Sequence, residues 1–128
     1  MIRLPQFRYH RATSVRDAAA VLAGEGPAAM LLAGGTDLVP NLKRRQQTPA
    51  VVIGIRHLAE LRTSANGRGL TLGAALSLAE IAEDPRVLGQ YSALAKAAAL
   101  VATPHLRAMG TLGGNVCLDT RCNYYDQS

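Results

Sequence analysis

The stretch that decides the fold is residues 29–38, Ala-Met-Leu-Leu-Ala-Gly-Gly-Thr-Asp-Leu. Its first half is an unbroken apolar run, which predicts a buried strand. The pair Gly34-Gly35 then turns the chain, and Thr36 is a suitable N-cap for a helix from Asp37 to about Arg45. A strand that leads through a tight turn into a helix is a building unit of mixed α/β domains.

Segments upstream and downstream continue this alternation. Residues 7–10 predict a short extended segment, and Ser14 is placed to cap a helix from Val15 to Ala23. Residues 50–55, Ala-Val-Val-Ile-Gly-Ile, are the clearest strand candidate because β-branched residues dominate them. We therefore expect a first lobe over residues 1–56 with the order β-α-β-α-β.

A different pattern follows in residues 57–128. The stretch Asn66-Gly67-Arg68-Gly69 predicts a hairpin between two short strands. Ser77 predicts the start of one helix, and Asp84-Pro85 predicts the start of the next. No element is predicted after Asn115, so this second lobe of an α+β (mixed α/β) domain is expected to be incomplete.

A second glycine-rich stretch, Gly110-Thr111-Leu112-Gly113-Gly114-Asn115, predicts another open loop. Glycine lets the backbone approach a ligand closely, and successive N–H groups form concavities that bind anions. Two such loops, each beside a hydrophobic segment, predict a diphosphate held between them. The first loop taken alone is equally compatible with a tight turn that binds nothing. It lacks the third glycine of a dinucleotide fingerprint and the Gly-Lys-Ser/Thr of a P-loop.

Composition narrows the class of function. The formal net charge is +5, but the basic residues are scattered apart from Lys43-Arg44-Arg45, and aromatic residues make up only 4%. A nucleic-acid surface concentrates basic charge and uses aromatic side chains for stacking, so we expect no nucleic-acid partner. The sequence shows no signal-peptide pattern and no apolar run of membrane-spanning length. We therefore expect a soluble, cytoplasmic protein without membrane attachment.

The two cysteines, Cys117 and Cys122, are separated by four residues. This thiolate spacing occurs in some iron–sulfur sites, which need two further ligands. On spacing alone, two ordinary thiols are favoured. His10, His57 and His105 are isolated in the sequence, so neither a metal site nor a Ser-His-Asp triad is predicted. No residue of this chain is a catalytic candidate.

Residues 32–38 and 110–115 together resemble the FAD-binding medium subunit of the molybdenum hydroxylases, which include the xanthine dehydrogenase and carbon monoxide dehydrogenase flavoproteins. The resemblance covers essentially the whole chain, from Phe7 through Arg107. It implies the FAD-binding domain of that flavoprotein type, with the two glycine stretches around the diphosphate and ribityl parts of FAD. The residues to which it assigns FAD contacts are Leu32, Ala33, Gly34, Gly35, Thr36, Asp37, Leu38, Val101, Thr111, Gly113, Gly114 and Asn115.

The run from Cys117 to Cys122, Cys-Leu-Asp-Thr-Arg-Cys, narrows the resemblance. It is similar to the beta subunit of 4-hydroxybenzoyl-CoA reductase, which carries an extra 4Fe–4S cluster in an inserted loop. This similarity implies that Cys122 is the first cluster ligand, that Cys117 is not a ligand, and that the other ligands lie beyond Ser128. The chain departs from the family's frequent Ile-Arg-Asn before the glycine stretch, because Ala108 stands where Asn is usual.

The resemblance also implies the role of the chain. It would be an FAD-binding electron-transfer subunit, with partners that are a molybdenum-cofactor large subunit, a 2Fe–2S small subunit and an electron donor such as ferredoxin. Substrate chemistry, in this case reductive dehydroxylation of an aromatic acyl-CoA, would occur in another subunit. Two alternatives are a medium subunit of another molybdenum hydroxylase without the extra cluster, and an inactive fragment that serves as a subunit-interaction module. We expect the isolated chain to be inactive and to bind FAD weakly or not at all.

Overall fold

The computed structural model describes residues 3–119, and their first half is built on a parallel sheet. Its three strands lie in the order β1-β3-β2. In the shared register, Tyr9 and Met30 flank Val52 of the central strand. Every residue of that central strand is buried, and its side chains pack into clusters on both faces of the sheet. The strands are β1 (Arg8–Arg11), β2 (Ala29–Leu32) and β3 (Val51–Gly54).

Two helices connect these strands, as parallel pairing requires. Helix α1 (Val15–Glu25) connects β1 to β2, and helix α2 (Leu38–Lys43) connects β2 to β3. Side chains alternate between the faces of a strand, so successive residues of β3 enter different clusters. Val51 and Ile53 pack in the cluster that includes Ala18 of α1. Val52 packs with Leu38 and Leu42 of α2.

The second half combines a hairpin with short helices. Strands β4 (Ser64–Asn66) and β5 (Leu70–Leu72) pair antiparallel, which confirms the predicted hairpin. The helices are α3 (Leu78–Glu83), α4 (Pro85–Gln90), α5 (Ser92–Leu100), α6 (Pro104–Met109) and α7 (Leu112–Val116). Their shared core contains Leu78, Ile81, Val87, Ala95 and Ala98.

Side-chain caps confirm the predicted helix starts at Ser14, Ser77 and Asp84. Ser77 caps α3 through a capping box, in which its hydroxyl accepts from the Glu80 amide and the Glu80 carboxylate accepts from the Ser77 amide at 2.7 Å. Asp84 caps α4 by accepting from the Arg86 amide at 2.8 Å. Both signals are local in sequence, because each capping hydrogen bond joins residues no more than three positions apart.

Several boundaries differ from prediction. Helix α1 continues two residues past Ala23 to Glu25, and its C-cap is Gly26, whose φ is 55°. Thr36 does not cap α2, because the N-cap position is Asp37 and no side-chain cap is formed there. The strand predicted to be buried is an edge strand, and its Leu31 is 44% exposed. The apolar run marked the strand correctly but not its position in the sheet.

The expected division into lobes at residue 56 stays a prediction. Leu58 lies just beyond that position and is buried in the same cluster as Val51 and Ile53. The mixed α/β architecture itself is confirmed. The expected incompleteness of the second lobe concerns residues outside the described range.

Candidate functional site

The fold brings the two glycine stretches into direct contact. A Cβ atom added to Gly34 would lie 2.0 Å from the carbonyl oxygen of Met109 and 3.1 Å from the Cα of Gly110. Both neighbours are backbone atoms, which cannot swing away as a flexible side chain can. Glycine is therefore the residue that permits this approach. The predicted juxtaposition of the two stretches is present in the structure.

Arg56 reinforces this contact from the end of β3. Its guanidinium donates to the carbonyl oxygen of Ala108 at 3.0 Å and lies 3.5 Å from the sulfur of Met109. Its Nε is buried and finds no acceptor among residues 3–119. The side chain thus ties the carboxyl edge of the sheet to the last turn of α6.

The first glycine stretch presents amide donors. Gly35 has φ 73°, a left-handed conformation that favours glycine. Within the described part of the chain, the N–H groups of Gly34, Gly35 and Thr36 donate to no acceptor. The Asp37 carboxylate accepts from Asn41 Nδ2 at 3.2 Å, so one of its oxygens is engaged by helix α2. The arrangement can donate hydrogen bonds to a phosphate.

The second glycine stretch is different, and the prediction of an open loop there was wrong. Residues 112–116 form α7, with Thr111 as N-cap. The Gly113 amide donates to the Ala74 carbonyl at 2.8 Å, and the Gly114 amide donates to Thr111 Oγ1 at 3.2 Å. The Asn115 amide donates to the Thr111 carbonyl at 3.0 Å. These amides are therefore not available to a ligand in this conformation.

Thr111 is the buried centre of this second stretch. It is 2% exposed and forms an isolated bridge with Ser77. The neighbouring Leu112 amide donates to the Leu76 carbonyl at 2.8 Å, and the Leu78 amide donates to the Gly110 carbonyl at 3.0 Å. These bonds fasten the second glycine stretch to the start of α3. The second glycine stretch is thereby held in place where Gly110, at its start, lies against Gly34.

The remaining predicted residues lie apart from this contact. Val101 follows α5, is half-buried, and packs on the core of the second half. Its carbonyl accepts from Arg107 at 2.9 Å. Cys117 is an exposed thiol just after α7, whereas Cys122 lies outside the described residues. Residues 3–119 contain no group of three His, Cys, Asp or Glu side chains that could hold a metal ion.

Sequence reasoning missed a basic cleft of about 350 Å³ at the carboxyl ends of the three parallel strands. In open parallel sheets, ligands bind at this edge. Its arginines are far apart in sequence and were counted only as scattered charge. The positions of two arginines in the sequence could have indicated this cleft. Arg11 ends the first strand and Arg56 follows the third, and the carboxyl ends of parallel strands lie at the same edge of the sheet. The polar side chains that line the cleft are Tyr9, Arg11, Arg56, His57 and Arg62.

The cationic groups of this cleft are not equivalent. Arg62 donates to the Ala75 carbonyl at 3.1 Å and pairs with Glu80. Burial raises the pKa of Glu80, but hydrogen bonds from Ser77 and the charge of Arg62 outweigh it, so the pKa is lowered. Arg11 has no ion-pair partner within residues 3–119. The charge of Arg11 is therefore available, and that of Arg62 is largely neutralised.

Comparison with known proteins identifies the family. The model of the FAD binding domain in molybdopterin dehydrogenase matches residues 5–123. The chain belongs to this family. The match includes both glycine stretches, the parallel sheet and the helices of the second half.

Members of the molybdopterin dehydrogenase FAD-binding family supply similar sequences. The chain is 39% identical over 111 residues to the xanthine dehydrogenase FAD-binding subunit of Escherichia coli O157:H7, covering 85% of this chain and 38% of that protein. It is 38% identical over 113 residues to the carbon monoxide dehydrogenase medium chain of Hydrogenophaga pseudoflava, covering 88% and 39%. The chain thus spans about two fifths of the length of these relatives.

Solved structures of the family agree with the fold. Carbon monoxide dehydrogenase from Hydrogenophaga pseudoflava, in a form lacking the Mo-pyranopterin moiety of its cofactor, matches with a TM-score of 0.86 at 37% identity. That match covers 89% of this chain and 40% of the other. Quinoline 2-oxidoreductase from Pseudomonas putida 86 matches with a TM-score of 0.82 at 34% identity, covering 88% and 39%. In the described region, no helix has the length and apolarity to cross a membrane.

Proposed function

We propose that this chain is the FAD-binding part of an electron-transfer subunit in a molybdenum-containing oxidoreductase. The observation that carries the proposal is the Gly34-Gly35 turn. It offers amide donors without acceptors in the described chain, and it lies against the backbone of Met109. In a member of this FAD-binding family, these are the features that a diphosphate requires.

The residues present fit the diphosphate of FAD. The absence of side chains at Gly34 and Gly35 leaves their N–H groups accessible to phosphate oxygens, and Thr36 adds a third amide. The Arg56 guanidinium, which is held against Ala108, contributes positive charge nearby. The chemistry that bound FAD supplies is electron transfer in one- or two-electron steps. The chain's own part is to bind and orient the cofactor.

We propose different roles for the predicted contacts of the second stretch. The amides of Gly113 and Gly114 already donate to acceptors within the chain. We therefore propose that these two glycines support the first stretch through packing and do not bind the phosphates themselves. The exposed side chain of Asn115 remains available for a polar contact with the cofactor. Val101 is retained as a contact of the flavin system on the resemblance alone.

The test is an NMR titration of the isotope-labelled chain with millimolar FAD. We expect the amide signals of Gly34, Gly35 and Thr36 to shift together, with a Kd of about 1 mM because only part of a longer cofactor site is present. A Gly34→Ala variant should lose these shifts. Gly67→Ala is the matched control, since an added Cβ there has nothing within 4 Å.

Two results would contradict the FAD proposal. One is that saturating FAD leaves the three amides of the first stretch unchanged. The other is that Gly34→Ala and Gly67→Ala bind FAD equally well. Saturable micromolar binding by equilibrium dialysis would support the proposal but overturn our expectation that the isolated chain binds weakly.

The proposed partners are a molybdenum-cofactor subunit and a 2Fe–2S subunit of the same complex. Support comes from relatives whose names describe them as a medium chain or an FAD-binding subunit. With a ferredoxin-like donor, electrons would pass through FAD to the molybdenum site, where the substrate is converted. The cytoplasmic location is part of the same proposal.

The finer assignment, to 4-hydroxybenzoyl-CoA reductase with an extra 4Fe–4S cluster, rests on the run from Cys117 to Cys122. Within residues 3–119 the only thiol is exposed Cys117, and no metal-binding cluster surrounds it. A medium subunit of another molybdenum hydroxylase fits the family match equally well.

The DNA immediately downstream of the Ser128 codon separates these two assignments. An open frame with three further cysteines within a few dozen codons would support the cluster and make Cys122 a ligand. An open frame without them would support the hydroxylase subunit that lacks the cluster. An immediate stop codon would support the third alternative, an inactive fragment.

A further inference from the structure

The edge of the parallel sheet opposite the basic cleft carries a groove. It lies at the amino ends of β2 and β3, because its lining includes Ala28, which precedes β2, and Ala50, which precedes β3. Its volume is about 370 Å³, and Pro27, Met30 and Pro49 give it an apolar surface. The described residues that line it include no charged side chain. The groove therefore suits a segment that carries apolar side chains.

One polar group in the lining lacks a partner. The side-chain oxygen of Gln47 is buried and accepts no hydrogen bond from residues 3–119. A buried acceptor that stays unpaired costs free energy. The Gln47 side chain as a whole is only half-buried, so it can turn toward the groove. A chain segment bound there would offer backbone N–H donors to this oxygen.

A cluster of cations adjoins the groove along the chain. Lys43 ends helix α2, Arg44 is its C-cap and Arg45 follows, and all three side chains are exposed. Within residues 3–119, none of the three pairs with a carboxylate. The Arg45 guanidinium lies 3.5 Å from the carbonyl oxygen of Arg3, which brings the exposed Arg3 beside them. We call residues 3 and 43–45 the basic rim of the groove.

Arg45 occupies a backbone position that usually belongs to glycine. Its φ is 61°, and the Gln46 amide donates to the Asn41 carbonyl at 3.1 Å in the helix-ending arrangement called the Schellman motif. Arginine is strained there and glycine is not. The helix dipole favours a cation in the last turn, which accounts for Lys43 but not for a strained Arg45. The strain therefore points to a role for the Arg45 side chain.

We propose that the groove and its basic rim dock an acidic, extended segment of a partner protein. Unpaired cations attract carboxylates and steer an acidic partner to the surface. A nucleic acid fits less well, since the described residues that line the groove include no aromatic side chain for stacking. A second copy of this chain would be repelled, because each copy carries a formal net charge of +5. The docking surface is separate from the FAD proposal, since it lies at the opposite edge of the sheet.

The experiment measures, by fluorescence anisotropy at low ionic strength, the binding of a labelled peptide of alternating glutamate and leucine. A peptide of alternating glutamine and leucine, with the same length and apolar content, is the uncharged control. We expect the acidic peptide to bind more weakly as salt is added and to shift the NMR amide signals of Gln47, Thr48 and Ala50. The uncharged peptide should bind about tenfold more weakly.

Two matched triple variants test the rim. One removes the rim charges through the substitutions Lys43→Gln, Arg44→Gln and Arg45→Gln. It should raise the Kd for the acidic peptide about tenfold, because each exposed ion pair contributes modestly and three are lost. The control removes as many exposed cations from α1, the hairpin and α5 through Arg16→Gln, Arg68→Gln and Lys96→Gln. It should leave the Kd within about twofold of the original value.

The single variant Arg45→Gly separates binding from folding. Glycine relieves the left-handed strain, so the thermal unfolding midpoint should rise by about 3 °C. The Kd for the acidic peptide should rise about threefold, because one cation of the rim is lost. A variant that is more stable and binds less tightly cannot owe its weaker binding to misfolding.

Four outcomes would overturn the proposal. Equal weakening by the two triple variants would reduce the attraction to overall charge. Equal binding of the two peptides would show that carboxylates are not recognised. Tighter binding of a single-stranded DNA oligonucleotide than of the acidic peptide, lost in the rim variant, would assign the surface to nucleic acid. Peptide-induced shifts that leave residues 47–50 unchanged would place the contact outside the groove.

Discussion

The two glycine pairs look alike in sequence and differ in structure. Gly34-Gly35 forms an open turn, with Gly35 at φ 73° and amide donors that find no acceptor in the described chain. Gly113-Gly114 lies inside helix α7, where both amides are hydrogen-bonded. The first pair can serve a ligand, and the second serves the packing that supports it.

The comparison teaches that glycine can be required at a position for more than one physical reason. Gly34 is needed because the backbone of Met109 lies against it. Gly113 is needed because Ala74 is close, with its Cβ 2.8 Å from the position of an added Cβ. Both reasons are contacts within the protein, and neither involves a bound phosphate. Only the unpaired donors distinguish a turn that can hold an anion from one that cannot.

The largest expected effect comes from Gly34→Ala. The new methyl group would clash with the Met109 carbonyl, so the two glycine stretches must separate. We expect a loss of about 3 kcal/mol in unfolding free energy, at the upper end for overpacking, together with the loss of FAD-induced shifts. Urea unfolding measures the first, with Gly67→Ala as control. A loss no greater than that of the control would show that the stretches are not in contact.

Gly35→Ala should have a smaller effect with a different cause. Its φ of 73° is strained for alanine, which predicts a loss of about 1–2 kcal/mol. Gly35→Asn should lose less, because asparagine tolerates this conformation. The same urea unfolding experiment compares the two variants. Equal losses would mean that crowding against Val39 and Leu32, rather than backbone strain, controls this position.

The smallest effect is expected for Gly113→Ala. The contact between the new methyl group and Ala74 lowers the stability of the folded chain. Against this, the helix propensity of alanine is about 1 kcal/mol more favourable than that of glycine. Because these terms oppose each other and Ala74 is exposed, we expect a net loss of about 1 kcal/mol. Thermal unfolding should be run beside Gly89→Ala, which lies in α4 with open space around it and should be stabilised. A stabilised Gly113→Ala would show that α7 does not need this glycine.

Much of the fold could be predicted because its signals are local. The capping residues Ser14, Ser77 and Asp84 begin helices where they were expected, and Asn66-Gly67 joins β4 to β5. Local hydrogen bonds and φ preferences act within a few residues, so they can be read from sequence. The same reasoning failed at residues 112–116, where a stretch rich in glycine is helical because Thr111 caps it and Ala74 and Leu76 accept its amides.

The sequence by itself determined the strand–turn–helix order of the first half, the hairpin and the family, because each depends on short patterns of residue types. Tertiary structure alone decided that Gly34 meets Met109, that Leu31 lies on an edge strand, and that Arg11 and Arg56 line one cleft. These facts depend on strand order and on contacts between residues tens of positions apart. A side chain's neighbours across the sheet are set by packing, and packing is a property of the whole chain.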